Sequence, residues 1–182
     1  ALIKHYGITS GTLTIDDSDK LRSRNTTTIA HVHKVKDKST GGYGKGQEFI
    51  FMVIVTNTVT IPVDFRFYTP DPALSAWRKE NHRLKRQKVP AKMRPKRPTP
   101  NLSHPTKETL ALEMLECFSR QYPEVNVKII TADALYGTGN FMDKSNQHFP
   151  HSQVVTQLRK NQSVRCKKGR WTSLKTYFSR NE

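Results

Sequence analysis

The pattern of apolar and polar residues predicts a β-hairpin in the first half of the chain. Residues 49–55 form a continuous apolar run of the length and composition of a central strand. Residues 59–68 alternate between apolar and polar side chains and predict a second strand, joined to the first by a tight turn at Asn57-Thr58. Pro62 cannot donate a backbone hydrogen bond, so it places this second strand at an edge or at a bulge.

Helical periodicity follows in the second half. Thr106 is a predicted N-cap, and Pro123 ends the helix after one apolar face made by Ala111, Met114, Leu115, Phe118 and Tyr122. The remaining pattern predicts strands at 12–15, 26–35, 127–130 and 154–158, and helices at 139–149 and 171–180. Antiparallel strands come first and parallel strands later, which is the order expected of an α/β, ribonuclease-H-like mixed sheet with flanking helices.

Carboxylates follow two of the predicted strands. Asp133 comes after the strand at 127–130, where a Gly-containing turn begins, and Asp16 and Asp17 follow the strand at 12–15. Sites of open α/β sheets form where strands end, and oxygen ligands suit divalent cations. These strand-end acids therefore predict a metal site, although a single aspartate more often caps a turn.

Two other motifs are weaker candidates. His31 and His33 would share one face of a strand, but no third ligand accompanies them, so a half-exposed strand face is the better interpretation. Residues 41–46 are rich in glycine, yet they lack the Gly-Lys-Ser/Thr ending of a P-loop, and no helix signal follows. The sequence therefore does not favour a nucleotide-phosphate cradle in this loop.

Charge points to a polyanionic partner. The 182 residues contain 31 Lys and Arg against 15 Asp and Glu, a net charge of +16. Residues 71–104 combine proline with many basic residues. Residues 77–88 are predicted to be helical, and the remainder has too few apolar residues to order by itself. We interpret the segment as an arm laid along DNA rather than a solvated loop. The predicted DNA-binding residues are Lys20, Arg22 and Arg24 beside the first acids, and Arg78, Lys79, Arg83, Lys85, Arg86, Lys88, Lys92, Arg94, Lys96 and Arg97 in the arm.

The chain shows no sign of secretion or membrane insertion. Cys117 and Cys166 are its two cysteines, too few for a disulfide framework or a zinc cluster, and they fit a reducing cytoplasm. No apolar run is long enough to span a membrane. The chain begins without Met and without a signal-peptide pattern. We therefore expect a cytoplasmic protein, present here as a piece of a longer chain.

Three short motifs resemble the DDE transposases of bacterial insertion sequences, in the branch that carries a Tyr-Arg-Glu-Lys signature around its third acid. The motifs are Leu-Thr-Ile-Asp-Asp-Ser at 13–18, Gly-Tyr-Gly-Lys-Gly-Gln at 42–47, and Thr-Ala-Asp-Ala-Leu-Tyr-Gly at 131–137 with Phe141. They occur in order and in the predicted strand contexts over nearly the whole chain. The resemblance implies a single ribonuclease-H-like catalytic domain, residues 1–182, with a basic insertion at about 71–104.

The resemblance also implies the catalytic residues. The first acid is the Asp followed by Ser or Thr, which is Asp17, and the second is Asp133. Asp16 is the rival first acid, because a one-residue slip in register exchanges the two faces of a strand. The third acid, a Glu, has no counterpart here, since Tyr177, Arg180 and Glu182 do not have the required spacing. The domain is therefore expected to be incomplete and inactive alone.

The implied activity is cleavage of DNA phosphodiester bonds and strand transfer at insertion-sequence ends. Two Mg²⁺ or Mn²⁺ ions, roughly 3.5–4 Å apart, are the implied cofactors. Asp17 would bridge both ions and Asp133 would bind one of them. DNA is the implied partner, both as transposon ends and as target, and a homodimer is expected for the full-length protein. The alternatives are a non-catalytic nucleic-acid-binding protein and a ribonuclease-H-like nuclease or resolvase, neither of which would join strands.

Overall fold

The protein is described by a computed structural model over residues 2–166 and 169–179. Within these residues six strands form one mixed sheet with flanking helices, and two further strands form a separate ladder. In chain order the elements are α1 (Leu2–His5), β1 (Ser10–Leu21), β2 (His33–Lys36), β3 (Tyr43–Val55), β4 (Thr60–Tyr68), α2 (Pro72–Arg86), α3 (Lys107–Gln121), β5 (Asn126–Ala132), α4 (Gly139–His148), β6 (Gln153–Thr156), β7 (Ser163–Arg165), β8 (Trp171–Ser173) and α5 (Leu174–Phe178).

The sheet has the strand order β2-β3-β1-β5-β6, and β4 also pairs with β3. β1 pairs with β5 and β5 pairs with β6 in parallel, whereas β2 and β3 are antiparallel. This mixed α/β architecture confirms the predicted fold class and is consistent with a ribonuclease-H-like fold. In the part of the chain that is described, every helix is too short or too polar to cross a membrane.

The described residues divide into two compact units, the first of which comprises Ala1–Asp16, Met52–Val63 and Met114–Glu182. Side chains on the inward faces of its parallel strands are buried, including Leu13, Ile15 and Ile130. The apolar face of α3 supplies Phe118, whose ring centroid lies 6.4 Å from that of Phe149. The predicted helix face is confirmed for Ala111, Met114, Leu115 and Phe118, which are all buried. Tyr122, its fifth predicted member, follows α3 and is half-buried.

The second unit comprises Asp17–Phe51 and Asp64–Glu113. Asp71 caps α2 by accepting a hydrogen bond from the Ala73 backbone N–H at 2.8 Å, and Pro72 occupies the first turn, where its missing N–H costs nothing. An aromatic cluster covers part of β4, where the His31 ring stacks on Phe67 with centroids 5.1 Å apart. Thr106 caps the N-terminus of α3, as expected, because its hydroxyl accepts from the Thr109 N–H at 3.1 Å.

The expected end of the first strand is wrong. β1 continues through Asp16 and Asp17 to Leu21 instead of ending after Ile15. Immediately after β1, the Arg22 N–H donates to the Lys45 carbonyl at 2.8 Å. Backbone pairing with β3 therefore extends the strand into residues whose polar side chains suggested a loop.

The second strand is shorter than predicted, and the glycine-rich loop is not a loop. Only His33–Lys36 of the predicted 26–35 strand is β2, and Gly44 and Gly46 lie within β3. A Cβ at Gly46 would clash with the Val35 side chain and would lie 2.9 Å from the Lys20 carbonyl. Gly46 therefore permits the close approach of neighbouring strands. The pattern of apolar residues does not predict a strand at such a glycine.

The C-terminal prediction is partly wrong. Trp171–Ser173 form β8, which pairs with the unpredicted β7, and only Leu174–Phe178 are helical. Arg180 and Glu182 lie outside the described residues. The other predicted elements at 49–55, 59–68, 106–122, 127–130, 139–149 and 154–158 are each present. Their ends shift by one or two residues, except that β3 begins much earlier than predicted, at Tyr43.

Candidate metal centre

Parallel pairing of β1 with β5 brings acidic residues from distant parts of the chain together. Thr14 lies opposite Thr131 and Ile15 opposite Ala132, so Asp16 and Asp133 are the next residues along the two chains. The Thr131 hydroxyl donates to that of Thr14 at 2.8 Å, a further link between the strands. The strand register therefore accounts for the meeting of the two carboxylates.

Asp133 begins a tight turn after β5. Its carboxylate accepts from the Leu135 N–H at 2.7 Å, and its carbonyl accepts from the Tyr136 N–H at 3.1 Å and from the Thr156 hydroxyl at 2.8 Å. The fully buried ring of Tyr136 anchors the turn, with its centroid 5.4 Å from that of Phe141. The conformation of Asp133 is therefore fixed by the turn that follows it.

Asp16, Asp17 and Asp133 form an acidic cluster. Each offers a carboxylate oxygen, and these oxygens lie within 4.8 Å of one another. Asp16 and Asp133 are exposed, and Asp17 is half-buried. Oxygen donors at this spacing have the chemistry that Mg²⁺ and Mn²⁺ prefer. The donor set therefore fits a divalent cation.

The cluster includes both adjacent aspartates. Because side chains alternate along a strand, we expected Asp17 to lie close to Asp133 and Asp16 to point elsewhere. The expectation for Asp16 is wrong. Both positions supply an oxygen to the group, although Asp17 is the less exposed of the two.

Lys107, the first residue of α3, makes a double ion pair that the sequence analysis missed. Its ammonium lies 2.6 Å from Oδ2 of Asp17 and 3.2 Å from Oε1 of Glu48, and its side chain is only 16% exposed. Burial lowers the pKa of Lys107, but the hydrogen bond to Asp17 and the charge of Glu48 outweigh it, so the pKa lies above its usual value. Lys107 is therefore a permanent cation beside Asp17.

Glu48 is held in turn by His33. Nε2 of His33 lies 3.0 Å from Oε2 of Glu48, and Nδ1 of the same ring lies 3.0 Å from the His31 carbonyl. His31 lies outside β2 and stacks on Phe67, so the two histidines do not share a strand face as expected. His33 is thus hydrogen-bonded to the Glu48 carboxylate that also pairs with Lys107.

The predicted DNA-binding residues are displayed at the surface. Lys20, Arg22 and Arg24 are exposed, and Nε of Arg22 donates to Gln47 at 2.9 Å. Those of the arm are exposed except Arg94, which is half-buried and donates to the Val89 carbonyl at 2.9 Å. These positions leave basic side chains accessible to a polyanion.

A family model described as DDE superfamily endonuclease matches residues 3–176, nearly the whole chain. No curated protein and no solved structure matches the chain. The matched range contains the whole acidic cluster together with Lys107 and Glu48.

Proposed function

Because the chain belongs to the DDE superfamily endonucleases, we propose that it is the catalytic domain of a DDE-type DNA transposase of an insertion sequence. Its reaction is metal-dependent cleavage of phosphodiester bonds and strand transfer at the element's ends. The observation that carries this proposal is the acidic cluster of Asp16, Asp17 and Asp133, which lies where two parallel strands bring distant carboxylates together. The specific Tyr-Arg-Glu-Lys branch is part of the proposal and rests on the sequence motifs.

Asp17 and Asp133 are the proposed catalytic and metal-binding residues. Two Mg²⁺ or Mn²⁺ ions, when bound, supply a clamp on the attacking and leaving oxygens of the phosphodiester. Asp17 would contact both ions and Asp133 one of them, and the turn after β5 keeps Asp133 in place. Asp16 adds a third oxygen to the same group.

The catalytic set needs a further Glu, which we place outside these 182 residues. The 182 residues are proposed to be one ribonuclease-H-like domain, with the basic segment at about 71–104 as an insertion. Active complexes are proposed to be homodimers of the full-length protein, and the proposed compartment is the cytoplasm.

DNA is the proposed substrate, as transposon ends and as target. The net charge of +16 supports this assignment, because neutralising phosphates releases counterions and favours association. The exposed basic residues of the arm, with Lys20, Arg22 and Arg24 near the first acids, are the proposed phosphate contacts.

The metal site can be tested by thermal melting with and without Mn²⁺. A ligand that binds the folded state alone raises its stability, so wild type should melt at a higher temperature with Mn²⁺. The double variant Asp17→Asn plus Asp133→Asn should lose that shift. The control, Asp143→Asn plus Glu124→Gln, removes the same charge at exposed positions outside the cluster and should retain it. An equal shift in the aspartate double variant would refute the site.

A hydrolytic nuclease or resolvase is the second candidate, and the family description of an endonuclease favours it. Incubation of the full-length protein with a labelled end duplex and a circular target separates the two functions. Joined products support a transposase, whereas nicked products without joining support a nuclease. Binding without either product, in the presence of Mn²⁺, would instead indicate a non-catalytic DNA-binding protein.

A further inference from the structure

Lys107 occupies a position that helix electrostatics disfavours. It is the first residue of α3, and the N-terminus of a helix carries a partial positive charge that repels cations. Its aliphatic stem and ammonium are mostly buried, so the side chain does not simply extend into water. A residue that is unfavourable for the local structure at a candidate site is expected to have a functional role there.

The contacts of the Lys107 ammonium indicate what that role is. One ammonium bridges Asp17 and Glu48, at 2.6 and 3.2 Å, and the ring of Tyr68 lies 5.4 Å from it. Two half-buried carboxylates beside each other would repel without a cation between them. Glu48 is itself held from the other side by His33, so Lys107 is held by an anchored partner.

We propose that Lys107 is a positioning residue that serves as the built-in counter-ion of Asp17. It holds the Asp17 carboxylate through Oδ2, and its charge lowers the affinity of the acidic cluster for divalent cations. Glu48 raises the affinity of the cluster for divalent cations, because its carboxylate pairs with the same ammonium and partly neutralises the charge of Lys107. This inference rests on the proposed function, since it requires that Asp17 bind a metal ion.

The physical basis is the distance dependence of charge interactions. A fixed cation next to a carboxylate opposes the arrival of a second cation at the same group, and the effect is large where water is partly excluded. Loss of Lys107 should therefore tighten metal binding while it destabilises the metal-free protein. If Lys107 had only a structural role, its removal would lower both the affinity for metal and the stability of the metal-free protein.

Mn²⁺ affinity, measured by electron paramagnetic resonance titration of the 182-residue chain, tests the inference together with melting in EDTA. Lys107→Met should bind Mn²⁺ about tenfold more tightly, by the Coulomb estimate for one removed charge, and melt at a lower temperature in EDTA. Lys107→Arg keeps the charge and should bind within about twofold of wild type. Lys144→Met, at an exposed position outside the arm and the cluster, is the matched control and should leave Mn²⁺ affinity unchanged.

Glu48→Gln supplies a test of opposite sign that does not depend on the folding of Lys107→Met. It should weaken Mn²⁺ binding several-fold, because Lys107 then acts on Asp17 alone. Unchanged or weaker Mn²⁺ binding in Lys107→Met, an equal gain in Lys144→Met, or unweakened binding in Glu48→Gln would overturn the inference.

The Asp17→Asn plus Asp133→Asn variant separates this inference from the function on which it rests. If it binds Mn²⁺ as wild type does, the proposed metal site fails and the role of Lys107 fails with it. If it loses binding while the Lys107 and Glu48 variants match wild type, only the role of Lys107 is wrong.

Discussion

The indole N–H of Trp77 donates a hydrogen bond to the carbonyl oxygen of Pro95, 2.8 Å away. Trp77 lies in the middle of α2, and Pro95 lies in the proline-rich stretch that follows it. This bond joins the helix of the basic arm to the remainder of the arm, which composition alone predicted to be unable to order by itself. The arm is therefore a helix with a folded-back extension, and its basic side chains are displayed on a defined scaffold.

We expect the arm to supply much of the affinity for DNA, without sequence preference. Deleting residues 78–97 should weaken binding and flatten its dependence on salt, because each phosphate contact contributes roughly −0.9 to the log–log slope on duplex DNA. Fluorescence anisotropy with a labelled duplex at several salt concentrations measures that slope. Lys4→Gln plus Lys144→Gln, at exposed positions outside the arm, should change it far less. An unchanged slope after the deletion would contradict the proposal that the arm contacts DNA phosphates.

The turn after Asp133 requires a residue without a Cβ at position 137. A Cβ on Gly137 would clash with the Gln157 carbonyl and would lie 3.3 Å from the Thr156 hydroxyl. Gly137→Ala should therefore destabilise the fold by about 1–3 kcal/mol, as overpacking against backbone does. Gly139→Ala is the matched control, since a Cβ there meets nothing within 4 Å. Urea unfolding of both variants measures the difference, and equal midpoints would contradict the clash.

The turn between β2 and β3 depends on an ionised carboxylate. Hydrogen bonds from the hydroxyls of Ser39 and Thr40, and from their backbone N–H groups, lower the pKa of Asp37 from 3.8 to about 2. A group with a depressed pKa stabilises the fold above its unfolded pKa, and that contribution is lost as pH falls through the folded value. The stability difference between wild type and Asp37→Asn should thus be constant above about pH 5 and shrink between 3.8 and about 2.

Urea midpoints of the two proteins across that pH range provide the measurement. Asp143→Asn, on the exposed face of α4, is the control. A difference that does not change with pH would mean that the hydroxyl hydrogen bonds of the turn do not favour the ionised form.

The 182-residue chain alone should bind DNA without cutting or joining it. Asp17 and Asp133 are only part of the proposed two-ion site, and the proposed missing Glu leaves the geometry of in-line displacement unfixed. Gel assays of an end duplex with Mn²⁺ should show retarded but intact DNA, whereas the full-length protein should produce cleaved strands. Metal-dependent nicking by the short chain, abolished by Asp133→Ala, would show that the third acid lies within these residues.

Local patterning was enough to predict much of the architecture. The apolar run at 49–55 is continuous and has the length of a strand, and the apolar face of α3 has helical periodicity. These local patterns predicted β3 and α3 without knowledge of their neighbours. Asp133 was placed after a strand by the same reasoning, and the motif around it pointed to the family that the chain belongs to.

Only the tertiary structure decided which side chains meet the acids. Lys107 lies ninety residues from Asp17 in sequence, and Glu48 lies on a different strand, so no spacing or periodicity links them. The continuation of β1 through both aspartates depends on backbone pairing with β3, which polar side chains do not reveal. Patterning reports which face of an element is buried, whereas strand register and helix placement determine which charges come within bonding distance.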